Sequence, residues 1–581
     1  METVDPMQLG LYAVVAVTVI VGVAAFAKKL GIAAPIILVV VGVGMSYLPG
    51  VPEIEVPHEV ILDMLLPPIL YAAAISVPIV DFRRNLAPIT SLSVVLVLVT
   101  AFATGTLLYT LLPELNFAAA VALGAIISPP DAVAATSVGR RLGLPPRLLT
   151  LLEGEGLVND ATALVLLRSA VAAAAGGLAT PWEGVLDFVY AVLVAVVIGL
   201  IAGIVTVWVR SKLDDPVLDT AVSLAVPFVA FMPAEELHAS GVLAVVIAGL
   251  YTGHAAPSTF TPQSRISDRI NWRTVQFLLE NGVFLLIGLE IRNLVNDVEP
   301  TVLGVWDSIG IGLIATLALV VIRYLWIGPL VAWLGRRSRR AEKRTYQALL
   351  ALYHYRTNPV RSRREAIARN KLERDYTRRR ADLETLRQEH IDWRGGVVLG
   401  WSGMRGVVTL AAAQSLPEET PYRPQLILIA FTVAVVSIVV QGGTLPALIK
   451  VLKLQGVDAD EERRELASLL EKLSAAGLDA LDEQVAERGD DLDPEVVERA
   501  RQNSFLLTEA AWERAGRRGA DNDTPHRIYR ELRLAIVAAE REKMLELRAA
   551  GVYPSRILAE AQTMLDAEET RLQRRSGDGG H

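Results

Sequence analysis

The chain has 581 residues, 52% hydrophobic and only 20% charged, with a mean hydropathy of +0.40; a soluble reading as about four domains does not fit such a composition. A formal net charge of −7 argues against general nucleic-acid binding, and the absence of cysteine excludes a disulfide framework, a thiolate metal site and a cysteine nucleophile. The 7 histidines include no close pair at ligand spacing, which leaves a zinc enzyme without its ligands.

Apolar and charged residues are segregated along the chain. Apolar runs fill 10–335 and 395–452, while 336–390 and 455–581 are dense in Arg, Glu and Asp, the pattern of a membrane protein with a cytosolic tail. The first apolar run, 11–27, follows Glu2 and Asp5 instead of a basic segment and lacks a convincing cleavage site, so it reads as a retained span. A helix crossing a bilayer needs about 20 mainly apolar residues. Thirteen segments qualify, near 10–28, 31–49, 58–79, 87–112, 116–138, 147–174, 185–210, 216–233, 240–254, 272–291, 304–334, 395–415 and 425–452.

The connections sort by charge. An external N-terminus puts the odd connections in the cytoplasm, where Lys and Arg should collect. These carry Lys28 and Lys29, Arg83 and Arg84, Arg140, Arg141 and Arg147, Arg210 and Lys212, then Arg265, Arg269 and Arg273. The even ones carry Glu53 and Glu55, Glu114, Glu183, and Glu235 and Glu236; Arg292, beside Asp297 and Glu299, breaks the pattern. Segment 336–387 holds 17 basic and 6 acidic residues, a net +11. It reads either as a solvated helical hairpin that anchors this orientation or as a surface drawn to anionic lipid headgroups. Residues 460–575 have helix-forming composition with apolar spacing at Leu466, Leu469, Leu470 and Leu473, punctuated at Gly489, Pro494, Gly519 and Pro525. A small all-α domain is expected there, with no ligand assigned.

Ionisable groups at mid-bilayer depth mark a pathway or a partner. The fifth span carries Ser128-Pro129-Pro130-Asp131 about halfway along. Two prolines in a row remove backbone donors and clash with the preceding turn, so the helix should break. A break at that depth must be buried or line a cavity. It frees carbonyls on one side and leaves a half-helix N-terminus on the other. Asp131 falls at that start, either as a simple cap or as an ionised functional group. In the sixth span Glu153, Glu155, Asn159 and Asp160 cluster, with Glu155 and Asn159 on one face and Asp160 near the midplane. Three carboxylates in one apolar span need protons or neighbouring cations. Arg323 in the eleventh span and Arg405 in the twelfth are candidate partners, each able to serve a purely structural role. Glycines at 395, 396, 400, 403 and 406 predict a second broken or closely packed helix. If spans 1–6 and 8–13 are inverted units, the fifth pairs with the twelfth, and a binding site belongs between two such interrupted helices.

At these residues the chain resembles the bacterial sodium/proton antiporters of the monovalent cation:proton antiporter family, relatives of the animal sodium/proton exchangers. The strings are LLPPILYAA at 65–73, ISPPDAVAATSV at 127–138, EGLVND at 155–160, FLLIGLEI at 284–291, WSGMRGVVTLA at 401–411 and QGGTLPALIKVLKL at 441–454. The resemblance covers roughly residues 10–455. It implies an all-α membrane protein of about 13 transmembrane helices, built as inverted six-helix repeats with crossing unwound helices. Residues 1–454 would form the transmembrane domain, with a basic cytosolic loop at 336–392, and 455–581 a helical cytosolic C-terminal domain. By its motifs, Asp160 is the aspartate that binds cation and proton alternately, Asn159 the asparagine associated with electroneutral exchange, and Asp131 the crossing-helix aspartate near the cation. Glu155 and Arg323 match a structural ion pair, and Arg405 an arginine that offsets the half-helix ends. The chain departs from the family pattern at Pro130-Asp131-Ala132, at Gly156 where serine is common, and at Ala72 where glutamate is common. Fewer oxygen ligands leave room for potassium.

The expected function is therefore exchange of a monovalent cation, Na+ first and K+ or Li+ as alternatives, for H+. The ligands would be the carboxylates of Asp160 and Asp131, the Asn159 amide oxygen and the carbonyls freed around Ser128 and Pro130. A neutral Asn159 favours a one-for-one ratio. No cofactor is implied. The expected setting is a homodimer surrounded by lipid in a bacterial plasma membrane, tail inside, serving pH homeostasis. The other classes open at this point are a potassium/proton or broad cation antiporter, an organic-anion symporter on the same fold, an intramembrane aspartyl protease using Asp131 and Asp160, and a non-transporting sensor.

Overall fold

The computed structural model describes residues 6–30, 33–49, 57–175, 181–298, 303–357, 391–454, 459–488, 494–502 and 525–549, with short stretches between 368 and 380 and residue 565. Regular structure among these residues is entirely helical. Two compact units are formed, 1–454 and 455–581.

The first unit opens with α1 (Pro6–Leu30), α2 (Ala34–Ser46), α3 (Val60–Ser76), α4 (Ile79–Arg84) and α5 (Leu86–Leu111). A broken pair follows, α6 (Phe117–Ile127) and α7 (Ala132–Arg141), then the long α8 (Pro146–Ala174). Next come α9 (Pro181–Arg210), α10 (Pro216–Glu236), α11 (Gly241–Thr259), α12 (Pro262–Leu289) and the short α13 (Ile291–Asn296). Helix α14 (Val305–Thr357) leads to a second broken pair, α15 (Trp393–Trp401) and α16 (Val407–Gln414), and the unit ends with α17 (Arg423–Leu452). Nine of the described helices are long and apolar enough to cross a membrane. The other four expected segments correspond to α2, α3 and the two broken pairs, each too short as an unbroken helix for that length test.

Helix starts follow local chemistry. Asn116, Asp215, Ser240 and Thr261 each accept a hydrogen bond from a backbone N–H of the helix they precede, and Pro146, Pro216 and Pro262 occupy first positions where no donor is needed. Thr261 starts α12 well before the apolar stretch at 272, so polar residues such as Arg265 and Asp268 join one continuous helix with the span. Helix α14 likewise carries its apolar part straight into the basic segment as far as Thr357, a single rod of about 80 Å. The first arm of the expected hairpin is thus continuous with the eleventh span; most of 358–390 lies outside the described residues, as do Glu53, Glu55 and Glu299.

Apolar side chains also cover the outside. On α9, Trp182, Leu193, Ile201 and Trp208 are all more than half exposed, a surface suited to lipid tails and unsuited to water. Where helices meet, glycine lets backbones approach: a Cβ on Gly42 would sit 2.9 Å from the Gly288 Cα, which fixes α2 tightly on α12. Arg210 belongs to this interior packing although its position reads as a cytoplasmic flank. Its buried guanidinium donates to both Asp219 oxygens at 2.7 and 2.8 Å, lies 3.3 Å from Asp268, and stacks 4.2 Å above the Phe260 ring.

The helices pack as two groups. Helices α5, α6, α7, α8, α14, α15, α16 and α17 contact mainly one another, as do α1, α2, α3, α9, α10, α11 and α12; contacts across the divide are sparse. In the second unit, α18 (Ala459–Arg488) and α19 (Pro525–Ala549) are described. Leu470 packs on the buried Ala467, whereas Leu466, Leu469 and Leu473 are exposed. Gly489 and Gly519 lie outside the described residues.

Candidate functional site

The two helix breaks meet. Residues 128–131 separate α6 from α7, and residues 402–406 separate α15 from α16. The Asp131 backbone N–H donates to the Met404 carbonyl at 2.6 Å, so one unwound strand of chain rests on the other. Prolines 129 and 130 supply no donor to continue the first helix, and Gly406 admits the second chain: any Cβ there would overlap the Asp131 side chain. Asp131 caps α7, its Oδ1 accepting from the Val133 N–H at 2.8 Å.

Arg405 supplies the positive charge at the crossing. Its buried guanidinium donates to the carbonyls of Ile127 (2.9 Å) and Ser128 (3.3 Å), at the C-terminal end of α6, and to that of Gly403 in the second break. A cation at that end of a helix is where the helix dipole favours one. The Arg405 N–H is held in turn by Ser437 Oγ at 2.8 Å, inside a π-helical turn of α17 at Ser437–Gly442.

Helix α8 lies alongside. Asn159 is fully buried; its Nδ2 donates to the Pro130 carbonyl at 2.5 Å and its Oδ1 accepts the Asp160 N–H at 2.7 Å. The amide therefore ties α8 to the first break. In this conformation the carbonyls of residues 127, 128 and 130 have protein donors, and the Ser128 hydroxyl donates to Ala125 at 3.1 Å. Glu155, one turn earlier on α8, receives Arg323 in a two-pronged pair at 2.6 and 2.8 Å, both side chains buried. Arg323 also donates to the Leu399 carbonyl, joining α8, α14 and α15.

Asp160 differs from all of these. Among the described residues no hydrogen-bond donor or basic side chain reaches its carboxylate, which faces a cavity of about 870 Å³ shared with Asp131. The cavity wall combines both helix groups, with Pro129, Gly156 and Gly406 on one side and Ala72, Thr252 and Trp272 on the other, and it reaches the surface near exposed Arg269 and Arg273. Gly156 faces Ala132, and a Cβ there would come 2.7 Å from the Ala132 Cβ, so two departures from the family pattern fit each other sterically. A second cavity of about 440 Å³ lies further along α8, lined by Leu164, Leu167 and Arg168 with Asp63 and Glu235; Arg168 pairs with Glu235 at 2.6 Å. Leu164, one turn beyond Asp160, belongs to this second cavity, and Asp160 belongs to the first.

The structure thus brings Asp160, Asp131 and Pro130 to one cavity; Asn159, Ser128, Glu155, Arg323 and Arg405 are buried outside its lining, with Asn159 tied to the Pro130 carbonyl, Glu155 paired with Arg323, and Arg405 bound to the carbonyls of Ile127 and Ser128. Sequence reasoning missed Glu280, which lines the same cavity from α12 and accepts from Gln276 at 2.7 Å. The signal was present: a lone carboxylate inside the run QFLLENGVFLLIGL. It also missed Ser437, which carries no charge to mark it.

Comparison with known proteins gives a consistent answer. Residues 14–451 match the family model described as the transmembrane sodium/hydrogen exchanger. The chain is 28% identical to an uncharacterised Na+/H+ exchanger of Mycobacterium tuberculosis, over 98% of this chain and 97% of that one. It is 27% identical to a sodium, potassium, lithium and rubidium/H+ antiporter of Bacillus subtilis, over 71% of this chain and 57% of the relative. Among solved structures, the sodium proton antiporter MjNhaP1 of Methanocaldococcus jannaschii shares the fold with a TM-score of 0.55 at 17% identity, covering 77% of this chain and 99% of that one.

Proposed function

The chain belongs to the sodium/hydrogen exchanger family of membrane antiporters, and from that premise we propose that it exchanges Na+ for H+ one for one at Asp160 and Asp131. The observation that carries this reading is the Asp160 carboxylate, which faces a cavity and has no donor to it among the described residues. Such a group needs either a proton or a cation, and the two compete for one charge, so exchange is coupled without a separate device. Family membership makes the chain a transporter, which sets aside the aspartyl protease alternative.

A hard monovalent ion takes oxygen ligands. The Asp160 and Asp131 carboxylates offer them directly, with water in the cavity completing the shell. Asn159 acts through position: its amide fixes the Asp160 backbone and the Pro130 carbonyl together. Being neutral, it adds no second titrating charge beside Asp160, which favours an electroneutral ratio. Arg405 balances the carbonyl-rich end of α6 so that the crossing stays intact while the cation comes and goes. Asp160 lines the first cavity and not the second, whose wall includes Leu164 one turn further along α8; we take this as one state of an alternating-access cycle. Arg140, Arg265, Arg269 and Arg273, from the basic connections, line the open cavity, and on that ground we assign it to the cytoplasmic side.

We take the two breaks to be corresponding parts of inverted halves within about 13 crossings of a bacterial plasma membrane. The chain would work as a homodimer there, with the N-terminus outside and 455–581 as a cytosolic domain. Potassium is the second reading of the cargo. It is favoured by Gly156 and Ala72, apolar positions on the cavity wall, and by the Bacillus subtilis relative whose name includes potassium. Proteoliposomes given an outward proton gradient and Na+, Li+ or K+ in turn test the assignment. Proton flux at the lowest half-saturating concentration with Na+, unaffected by clamping the membrane potential, is expected. No cation-dependent flux would overturn the exchange reading, and a clear preference for K+ would replace the cargo.

A further inference from the structure

Glu280 lies in the membrane-spanning part of α12, in the wall opposite Asp131 and Asp160. Helix α12 packs against α16, the half-helix that begins directly after Gly406, so this wall stands next to the crossing. Gln276, one turn earlier, donates to Glu280 Oε1 at 2.7 Å and holds the carboxylate in place. Among the described residues no arginine, lysine or histidine pairs with it. The other acidic groups on the route inward are already engaged. Glu153 is bound by Arg140 at 2.6 Å, and Asp268 by Arg210 at 3.3 Å and the Ser223 hydroxyl at 2.7 Å.

We propose that Glu280 is the capture ligand of the cation route, a carboxylate that takes the monovalent cation from the cavity mouth and passes it to Asp131 and Asp160. The proposal rests on the exchange reading above. Its physical basis is a charge problem. Exposed Arg269 and Arg273 stand at the mouth and oppose a cation, so a carboxylate without a basic partner between mouth and crossing lowers the barrier inward. Glu280 occupies that stretch of wall. It also belongs to the helix group that does not carry Asp131 and Asp160. When the two groups move relative to each other, the captured cation leaves with the aspartates and Glu280 stays behind. Its contribution is therefore one-sided: it assists loading from the face where this cavity opens and has no part in loading from the other.

Side-resolved flux tests this. Wild type, E280Q and E280D are reconstituted, and Na+ and K+ are offered in separate runs from the cavity face or from the opposite face. For E280Q the half-saturating concentration should rise about five- to tenfold from the cavity face, more than any fall in maximal rate, and by less than about twofold from the other. E280D, which keeps the charge on a shorter stem, should show the same one-sided shift at smaller size; it carries the test if E280Q fails to fold. A merely structural glutamate would alter both faces equally or change only the maximal rate, and either result overturns the proposal, as does an unchanged half-saturation from the cavity face. A wild-type protein without cation-driven proton flux would instead sink the exchange reading on which the proposal stands.

Discussion

Glu155 and Asn159 share a helix face one turn apart, yet their atoms do different work. Glu155 neutralises a buried arginine with both oxygens. Glu155→Gln leaves Arg323 buried beside a neutral amide, a change that costs about 3–5 kcal/mol when a buried pair is broken. The expected outcome is a lower yield of folded protein and an earlier thermal transition in detergent; normal stability with lost cation affinity would contradict the structural role. Asn159→Asp has a less obvious outcome. An aspartate can accept the Asp160 N–H but, when ionised, cannot donate to the Pro130 carbonyl, and it faces that oxygen with like polarity. The variant should lose about 1–3 kcal/mol, visible as reduced thermal stability, instead of converting cleanly to a charge-moving exchanger. Full stability together with electrogenic flux would show that the Pro130 tie is dispensable. The residues themselves were legible in the sequence because charges inside apolar runs are rare. Their atomic partners were not: Arg405 reaches Ile127, 278 positions away, and no local pattern encodes such a meeting. Glu280 was overlooked although it obeys the same rule, since the recognisable string begins four residues later at Phe284.

At the scale of elements, the first break is dictated by Pro129 and Pro130, and the structure puts non-helical chain at 128–131 between α6 and α7. Glycine marks the second break more weakly, because glycine only permits what proline enforces. What glycine permits at 406 is contact with Asp131. Gly406→Ala must push Asp131 away from a position held by the Met404 carbonyl and the Val133 cap. Exchange should fall about ten- to a hundredfold, since small misplacements of a reacting group are costly, while the protein still elutes as a folded species. Unimpaired flux in that variant would mean the crossing has more freedom than its packing shows. Helix ends were the least legible feature. Apolarity stops near 272 and 334, but α12 starts earlier and α14 runs on, because helix propensity and caps extend a helix after its need for lipid has ended. The π-helical turns at Ser91–Leu96 and Ser437–Gly442 had no signature in composition, yet Ser93 reaches the Glu155 carbonyl at 3.4 Å and Ser437 holds Arg405.

On the scale of the whole molecule, two helix groups with sparse mutual contacts enclose two cavities separated near Leu164. Hydropathy alone gives the number of apolar segments but not this division, which depends on which faces pack. On the proposed exchange reading, this division would give a single carboxylate access to two sides in turn: a small relative shift would close the cavity at Asp160 and open the other; the Arg168–Glu235 pair crosses the divide on the second side. Every step assigned to this arrangement requires Asp160 to host the cation and the proton alternately. The direct measurement is Asp160→Asn in proteoliposomes, scored by cation-driven proton flux after a pH jump and by size-exclusion profile for folding. An intact fold with flux abolished for Na+, Li+ and K+ alike is the predicted result; wild-type flux from the asparagine variant would contradict the account.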